Sequence, residues 1–385
     1  MKITEDIKYI GVNDFDIDLF EGQYPVPDGI SYNSYVILDE KIAVTDTVDS
    51  RFTAEWLENL ARELGGKEPD YLIIHHMEPD HSASVAAFAE KYPSAVLVAS
   101  AKAFAMAEAF FPGNGFENRL VVAGGSTLAL GRHTLTFVAA PMVHWPEVLV
   151  SFDSLSGTLF SADAFGKFGV PGTGDDWACE ARRYYFGIVG KFGAPVQQLL
   201  KAAKALDIRI ICPLHGPVLH GDLHRYFELY DIWSSYEPES PHGVTVAYAT
   251  FHGNTRKAAL AAAEALRSRG EKDVTVYDLA RDDLSEAIEN AFRCGRLIIA
   301  APSYNGDVAP SVRDFISRLA ARSFRKRTVG IIENGSWAPS AAKAIRSLLE
   351  PCADITFAEP VATVRSALNE KSLSEIEALA EAILK

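Results

Sequence analysis

Tyr71-Leu72-Ile73-Ile74-His75-His76-Met77-Glu78-Pro79-Asp80-His81 reads as an apolar strand that ends in a burst of coordinating side chains. His76, Glu78, Asp80 and His81 carry lone pairs suited to a metal ion and fall within six positions. Pro79 blocks a helix there, which predicts that they project from a tight loop. A strand packed into a sheet gives such a loop the rigid support that a metal site needs. Three further residues of this kind stand just past apolar runs: His144 after 135–143, Asp163 after 158–161 and His215 after 208–212. Taken singly, His144 or His215 would more often be a hydrogen-bonding residue of the fold, and Asp163 a turn cap. Seven coordinating residues on strand-end loops do not arise easily that way. The spacing predicts one site assembled from four loops at one sheet edge. His75, His133, His220, His224, His242 and His252 lack this context and are not counted as metal ligands.

Four imidazoles and three carboxylates are too many for one ion and suit two. A binuclear zinc hydrolase favours imidazole at most positions and holds a bridging water as nucleophile. Glu78 instead places a hard anionic oxygen between His76 and Asp80. Three carboxylates around two ions favour iron or manganese, which take mixed nitrogen and oxygen donors and change oxidation state. Asp163 has two oxygens with which to bridge both ions.

The chain has 385 residues, 48% of them hydrophobic and 23% charged, which is a globular composition with length for two domains at roughly 150 residues each. A net charge of −14 repels phosphate surfaces, so neither nucleic acid nor an anionic membrane is an expected partner. No apolar run approaches the ~20 residues of a membrane helix, and the acidic start at 1–6 has no secretory pattern. Cys179, Cys212, Cys294 and Cys352 form no C-x-x-C pair, which excludes a four-thiolate iron or zinc module and disfavours a disulfide framework. Cys212 reads as a small core residue, and the expected compartment is a reducing cytoplasm.

The texture changes near residue 240. Before it, predicted strands at 35–38, 42–45, 71–74, 95–98, 135–139, 148–152, 158–161 and 208–211 mix with helices at 52–64, 84–92, 101–110 and 196–206. Residues 234–243 hold two prolines and no apolar periodicity, and read as a linker. After it, strands at 244–249, 273–277, 296–300, 328–332 and 354–357 alternate with helices at 255–269, 284–294, 309–321, 339–349 and 372–384. Five such units predict a doubly wound parallel sheet, with ligands at the carboxyl ends of its strands.

Three loops in this half point to a ligand. Thr250-Phe251-His252-Gly253-Asn254-Thr255 joins the first strand to its helix. Its hydroxyls, its amide and the free backbone N–H groups of a helix start make a phosphate cradle. The loop lacks both G-x-x-x-x-G-K-[ST] and G-x-G-x-x-G, so neither ATP nor a dinucleotide is favoured. Ala301-Pro302-Ser303-Tyr304-Asn305-Gly306 and Glu333-Asn334-Gly335-Ser336-Trp337-Ala338 follow the third and fourth strands. Tyr304 and Trp337 offer flat faces, and the backbone near Asn305 and Gly335 offers polar groups. The plainer reading of any one loop is packing aromatics and turn glycines. Three in succession favour the ligand.

Here the sequence resembles a known family, the flavodiiron proteins (A-type flavoproteins, which include rubredoxin:oxygen oxidoreductases and nitric oxide reductases). The H-x-E-x-D-H string with its separated His, Asp and His, the three loops in flavodoxin order, and 22–35 with Ser31-Tyr32-Asn33-Ser34-Tyr35 carry the resemblance over nearly the entire chain. It implies an α/β fold: a metallo-β-lactamase-like αββα sandwich over 1–238, and a flavodoxin-like doubly wound parallel sheet over 243–385. It implies that His76, Glu78, His144 and a bridging Asp163 hold one iron, and Asp80, His81, Asp163 and His215 the other. FMN would be bound by Thr250, Phe251, His252, Gly253, Asn254, Thr255, Pro302, Ser303, Tyr304, Asn305, Gly335, Ser336 and Trp337, with no catalytic residue beyond the metal ligands. The implied activity is reduction of O2 to water, of NO to N2O, or of both. Electrons would pass through FMN from a separate donor such as rubredoxin, since no rubredoxin module follows Lys385. A homodimer or dimer of dimers is implied, because head-to-tail pairing brings the flavin of one chain beside the partner's irons. Trp145 would then sit at that junction, with a buried structural role as the rival reading. Gln23 and Tyr24 stand where some members have a pocket histidine, and Tyr184 or Tyr185 faces the pocket or the core. The alternative is a binuclear zinc hydrolase with a fused flavodoxin-like domain.

Overall fold

The computed structural model describes residues 2–173 and 176–385. The chain forms two compact units, Met1–Asp231 and Ile232–Lys385.

The first unit is built on two six-stranded sheets. One runs in the order Ile7–Tyr9, Tyr35–Ile37, Ala43–Thr45, Tyr71–Ile73, Val96–Ala99, Arg119–Val121. The other runs Thr127–Ala129, Thr134–Ala139, Leu149–Asp153, Thr158–Phe160, Ile210–Cys212, Leu219–His220. The period-2 alternation of strand side chains sorts the core into layers. Tyr35, Ile37, Ala43, Ile73 and Val98 of the first sheet meet Leu135, Phe137, Leu149, Phe160 and Cys212 of the second. Their neighbours Val36, Val44, Leu72 and Leu97 face the other way, onto Trp56, Leu60 and Leu64 of the helix Thr53–Leu64, with Phe88 and Phe104 from the helices Val85–Lys91 and Ala101–Phe110. On the second sheet the alternate residues Val150, Phe152, Leu159 and Ile211 are buried too, as are Val196, Leu199 and Leu200 of the helix Gly193–Ala203. Cys212 is a core residue, and burial pushes its thiol well up.

Strand direction decides where the coordinating residues go. Tyr71–Ile73 runs parallel to Ala43–Thr45, and Thr158–Phe160 runs parallel to Ile210–Cys212. Thr134–Ala139 lies two antiparallel steps from Thr158–Phe160, so it points the same way. The loops after these strands therefore leave at common edges, and the two edges meet where Leu149 N–H donates to the His75 carbonyl at 3.1 Å.

The second unit is a parallel sheet in the order Val274–Asp278, Ser240–Tyr248, Cys294–Tyr304, Arg327–Asn334, Ile355–Phe357. In chain order this is 2-1-3-4-5, the doubly wound arrangement with its switch point beside the first strand. Helices Asn254–Ser268 and Glu370–Ile383 bury Ala258, Ala259, Ala262, Leu266, Ile376 and Leu379 against Val244, Val246, Ile298 and Ile332.

Three local expectations are corrected. Pro79 does not block a helix: it occupies the first position of the short helix Pro79–Ser82, where its missing N–H has no partner to lose. The proposed linker is largely structured, since the helix His224–Ser234 runs into it and the strand Ser240–Tyr248 begins inside it. The 301–306 segment is not a plain loop. The strand Cys294–Tyr304 continues through it and pairs with Asp307–Val308 in a hairpin. Asn305 and Gly306 form its turn with φ of 52° and 74°, the positive values that a two-residue hairpin turn requires.

Candidate metal centre and flavin site

Two sets of donor atoms converge in the first unit, His76–Glu78–His144–Asp163 and Asp80–His81–His215, each within 4.8 Å. In the first set His76 Nε2 lies 3.2 Å from Glu78 Oε2 and 3.2 Å from Asp163 Oδ2. His144 Nε2 lies 2.9 Å from Glu78 Oε2 and 3.3 Å from Asp163 Oδ2. In the second, His81 Nε2 and His215 Nε2 each lie 3.3 Å from Asp80 Oδ2. They reach the other oxygen of the shared aspartate, Asp163 Oδ1, at 3.4 and 3.7 Å. Donors about 2.0–2.2 Å from a common ion sit roughly 2.8–3.6 Å apart, so both sets are near the spacing of coordinated atoms. Asp163 turns one oxygen to each set.

The electrostatics fit cations. Asp163 is fully buried, and neither its oxygens nor those of Asp80 accept a hydrogen bond. A buried carboxylate left so is costly unless it is paired or bound to a metal. Burial alone would push the Asp163 carboxyl up, but the imidazoles of His76, His144 and His81 outweigh it and hold it well below the usual carboxylate range. Burial pulls His144 down, and Asp163 and Glu78 more than offset this, to about 9. The cluster of anionic oxygens thus asks for positive charge, which protons supply on the imidazoles or metal ions supply at Nε2.

The far side of the imidazoles is tied. His76 Nδ1 pairs with Glu147 Oε1 at 2.8 Å, and the same oxygen accepts the Met77 N–H at 2.9 Å. His215 Nδ1 donates to the Ser31 carbonyl at 2.7 Å. These bonds leave Nε2 facing the centre, the outer support that metal-bound histidine requires. His75, set aside as a ligand, lies between Asp46 Oδ2 at 2.6 Å and Ser151 Oγ at 2.8 Å. All three are buried, and the Asp46 carboxylate also accepts the His75 N–H at 2.7 Å, fixing the turn into His76.

Aromatic rings close the site. Phe20, Tyr32 and Tyr184 stand 5.4, 6.0 and 5.5 Å from the His215 ring, whereas Tyr185 packs on Phe186 and Tyr230. Trp145 lies edge-on to His76 at 5.2 Å and is partly exposed. Tyr24 points its hydroxyl to the Gly187 carbonyl at 2.9 Å, and Gln23 reaches Glu21 Oε2 at 3.3 Å. Glu21 is exposed as a residue, yet its carboxyl lies beside Glu78. Loss of water around the carboxyl, and then the like charge of Glu78, push it up to about 7.

Glu147, Asp46, Ser31 and Glu21 were not among the residues expected from sequence. Asp46 follows the run 42–45 as Asp163 follows 158–161, so the strand-end rule had the means to find it. Glu147 is a lone acid whose partner His76 is 71 positions away, and Glu21 meets Glu78 only in the folded chain.

The second unit holds a cavity of about 410 Å³ at the carboxyl ends of its strands. It is lined by every residue expected at a flavin except Gly253, and additionally by Gly306, Asn334, Ala338, Ser340 and Ser366. Gly253 caps the 15-residue helix Asn254–Ser268 at φ 84°, a value that favours glycine. Its N–H donates to Thr250 Oγ1 at 3.0 Å. Asn254 and Thr255, the first residues of that helix, line the cavity, and a helix start has N–H groups without intrahelical partners. Asn334 ties the loops together: it accepts the Ser366 N–H at 3.1 Å and donates to the Ser366 carbonyl at 3.2 Å. Phe251 and Tyr304 meet at 5.4 Å, and Trp337 is 89% exposed. Flat, exposed faces above a polar floor at a helix start suit a flat ligand that carries a phosphate.

A sequence model of the ODP family beta lactamase matches residues 30–216. A flavodiiron protein from Giardia intestinalis superposes with a TM-score of 0.90 at 25% identity, covering 100% of this chain and 95% of that one. Over its whole length this chain is similar to a flavodiiron protein. The fold of a flavodiiron protein is also that of the rubredoxin oxygen:oxidoreductase from Desulfovibrio gigas, which has a TM-score of 0.92 and 23% identity over 100% of this chain and 97% of that one. Among curated relatives, a nitric oxide reductase from Moorella thermoacetica is 28% identical over 94% of this chain and 92% of its own length. An anaerobic nitric oxide reductase flavorubredoxin from Aliivibrio fischeri is 28% identical over 90% of this chain and 72% of its own. The first unit is accordingly a metallo-β-lactamase-type domain and the second a flavodoxin-like one, and the cofactors of this type of protein are FMN and a non-haem diiron centre. No helix among the described residues is long and apolar enough to cross a membrane.

Proposed function

We propose that this chain is a flavodiiron protein that reduces O2 to water, NO to N2O, or both, with electrons drawn from a separate donor. The observation that carries the proposal is Asp163, buried, with one oxygen turned to each donor set. His76, Glu78, His144 and Asp163 would hold one iron, and Asp80, His81, His215 and Asp163 the other. The 410 Å³ cavity would hold FMN, its phosphate at the start of the helix Asn254–Ser268 and its rings beside Tyr304 and Trp337. When bound, two ferrous ions and reduced FMN supply the four electrons that O2 needs, or the two that a pair of NO molecules needs.

The chain's own residues prepare the ground for that chemistry. Glu147 and the Ser31 carbonyl fix two imidazoles with Nε2 inward, and Phe20, Tyr32 and Tyr184 keep water from the His215 side. The names of the Moorella and Desulfovibrio gigas relatives point to NO and to O2, which supports carrying both substrates in the proposal. A rubredoxin is the donor class that the latter name suggests. The exposed faces of Phe251, Tyr304 and Trp337 suit a homodimer or dimer of dimers in which the flavin meets the partner's irons. Four free thiols are consistent with a reducing cytoplasm.

A binuclear zinc hydrolase is the weaker reading, because Glu78 Oε2 sits between two imidazoles of the first set. The deciding experiment is anaerobic stopped-flow of the fully reduced protein against O2 and NO separately, alongside iron, zinc and flavin analysis. Two irons, one FMN and rapid oxidation by either gas are expected. A colourless protein holding two zinc ions and cleaving a thioester or phosphodiester would overturn the proposal.

A further inference from the structure

Ser31-Tyr32-Asn33-Ser34-Tyr35 contains no metal donor, yet it embraces the loop that carries His215. The Ser31 carbonyl accepts the His215 Nδ1–H at 2.7 Å, and Ser31 Oγ accepts the Gly216 N–H at 2.8 Å. The Asn33 side-chain amide donates to the carbonyls of Pro213 and Gly216, both at 2.8 Å. Its backbone N–H donates to the Leu214 carbonyl at 2.8 Å, and the Tyr35 hydroxyl donates to the Pro213 carbonyl at 2.7 Å. Tyr9 Oη donates to Asn33 Oδ1 at 3.1 Å, so the amide faces the loop with its two N–H groups and Tyr9 with its oxygen. Ser31 and Asn33 are fully buried.

We propose that Asn33 is the positioning residue for the ion held by Asp80, His81, Asp163 and His215. The inference rests on the diiron reading above. Buried carbonyls on an irregular loop must find donors, and the neutral NH2 of asparagine supplies two at once without adding charge beside the centre. With Pro213 and Gly216 pinned on either side of it, His215 lies with Nδ1 against Ser31 and Nε2 toward Asp80 and Asp163. The first donor set does not lean on this clamp, because His76 is held by Glu147 instead. Each ion therefore has its own outer support.

That independence gives the test. Apoprotein of the full chain is titrated anaerobically with Fe(II), wild type against Asn33→Asp, a variant of equal size that turns oxygens toward two carbonyls. Iron per chain, the ferric spectrum after oxidation and the melting temperature of the apoprotein are recorded. The expected result is that one of two ions binds about 10–100-fold more weakly, the usual cost of losing outer support, while the other is unchanged. The oxidised variant then shows a magnetically isolated high-spin ferric ion in place of a coupled pair. If Asn33→Asp does not fold, Tyr35→Phe removes a single bond to the same loop, and the same split is expected with a smaller factor. Weakening of both ions by one factor, or of neither, overturns the inference, as does a lowered apoprotein melting temperature with both ions bound as in wild type. Wild-type protein that takes up no iron would instead defeat the diiron reading itself, so the two failures are distinguishable.

Discussion

Asp163 has no exposed surface, and two of the imidazoles around it are fastened on their far nitrogens, whereas Trp337 in the cavity proposed for the flavin stands 89% exposed with Tyr304 and Phe251 about half exposed. The contrast follows from what each ligand demands. A metal ion needs donors fixed to a fraction of an ångström in a dry setting where charge interactions are strong, so the fold completes that site in advance. A flat flavin with a phosphate needs a helix start and some open faces, and its own surface supplies the rest of the packing. One site is preorganised, and the other is finished by its occupant.

The comparison is broken most decisively at Asp163. Asp163→Ala removes the atom pair shared by both sets. Iron is expected to fall from two per chain to below one, and O2 or NO consumption by at least ~100-fold, the upper end of what outer supports alone cost. FMN content is expected to stay at wild-type level, and loss of FMN in parallel would mean that the two sites are not separately built.

Glu147→Ala frees His76 Nδ1 and the Met77 N–H. A drop of about 10–100-fold in affinity for one ion is expected from Fe(II) titration, with the second ion and the flavin unaffected. Equal binding of both ions would show that the imidazole needs no outer partner here.

On the flavin side the effects are smaller. A Cβ at Gly335 would meet the Pro339 backbone at 2.8 Å, so Gly335→Ala must shift the fourth loop at a cost of about 1–3 kcal/mol. Fluorescence titration of apoprotein with FMN should show affinity lowered by about tenfold or more, with iron content unchanged. An unaltered Kd would place the flavin away from this loop.

The smallest effect lies outside both sites. His133 Nδ1 bonds Asp153 Oδ2 at 2.9 Å and Nε2 faces Asp6 Oδ2 at 3.3 Å. The hydrogen bond that His133 donates to Asp153 is the main cause that raises it, burial opposes this, and the net direction is up. The folded state thus favours the protonated ring. Its contribution is complete below the ordinary histidine value of about 6.5 and is lost as pH rises through the raised folded-state value. As pH rises above the ordinary histidine value of about 6.5, the urea midpoint should therefore fall more steeply in wild type than in His133→Gln. Parallel curves would refute the assignment.

Much of this was legible in the chain. The H-x-E-x-D-H string stands out because its residues are adjacent, and the three flavin-loop segments because regular strand–helix alternation marks where strands end. Pro79 misled because proline both forbids helix interiors and favours their first position, and only the following residues' burial tells which applies. The 301–306 segment misled because an Asn-Gly turn two residues past a strand end is also the mark of a hairpin. Glu147 was illegible for another reason: a single acid three residues after His144 has no pattern, and its partner is 71 positions away.

What the sequence alone determined is local and periodic: which residues can coordinate, which runs become strands, and which loops lie at strand ends. Adjacency and period are written in one dimension. What only the tertiary structure decided is which oxygen of Asp163 faces which set, which nitrogen each tied imidazole presents, and that Ser31-Tyr32-Asn33-Ser34-Tyr35 grips the loop of His215 from 178 to 185 residues away. Those choices are made by hydrogen bonds between buried groups that meet only when two sheet edges come together.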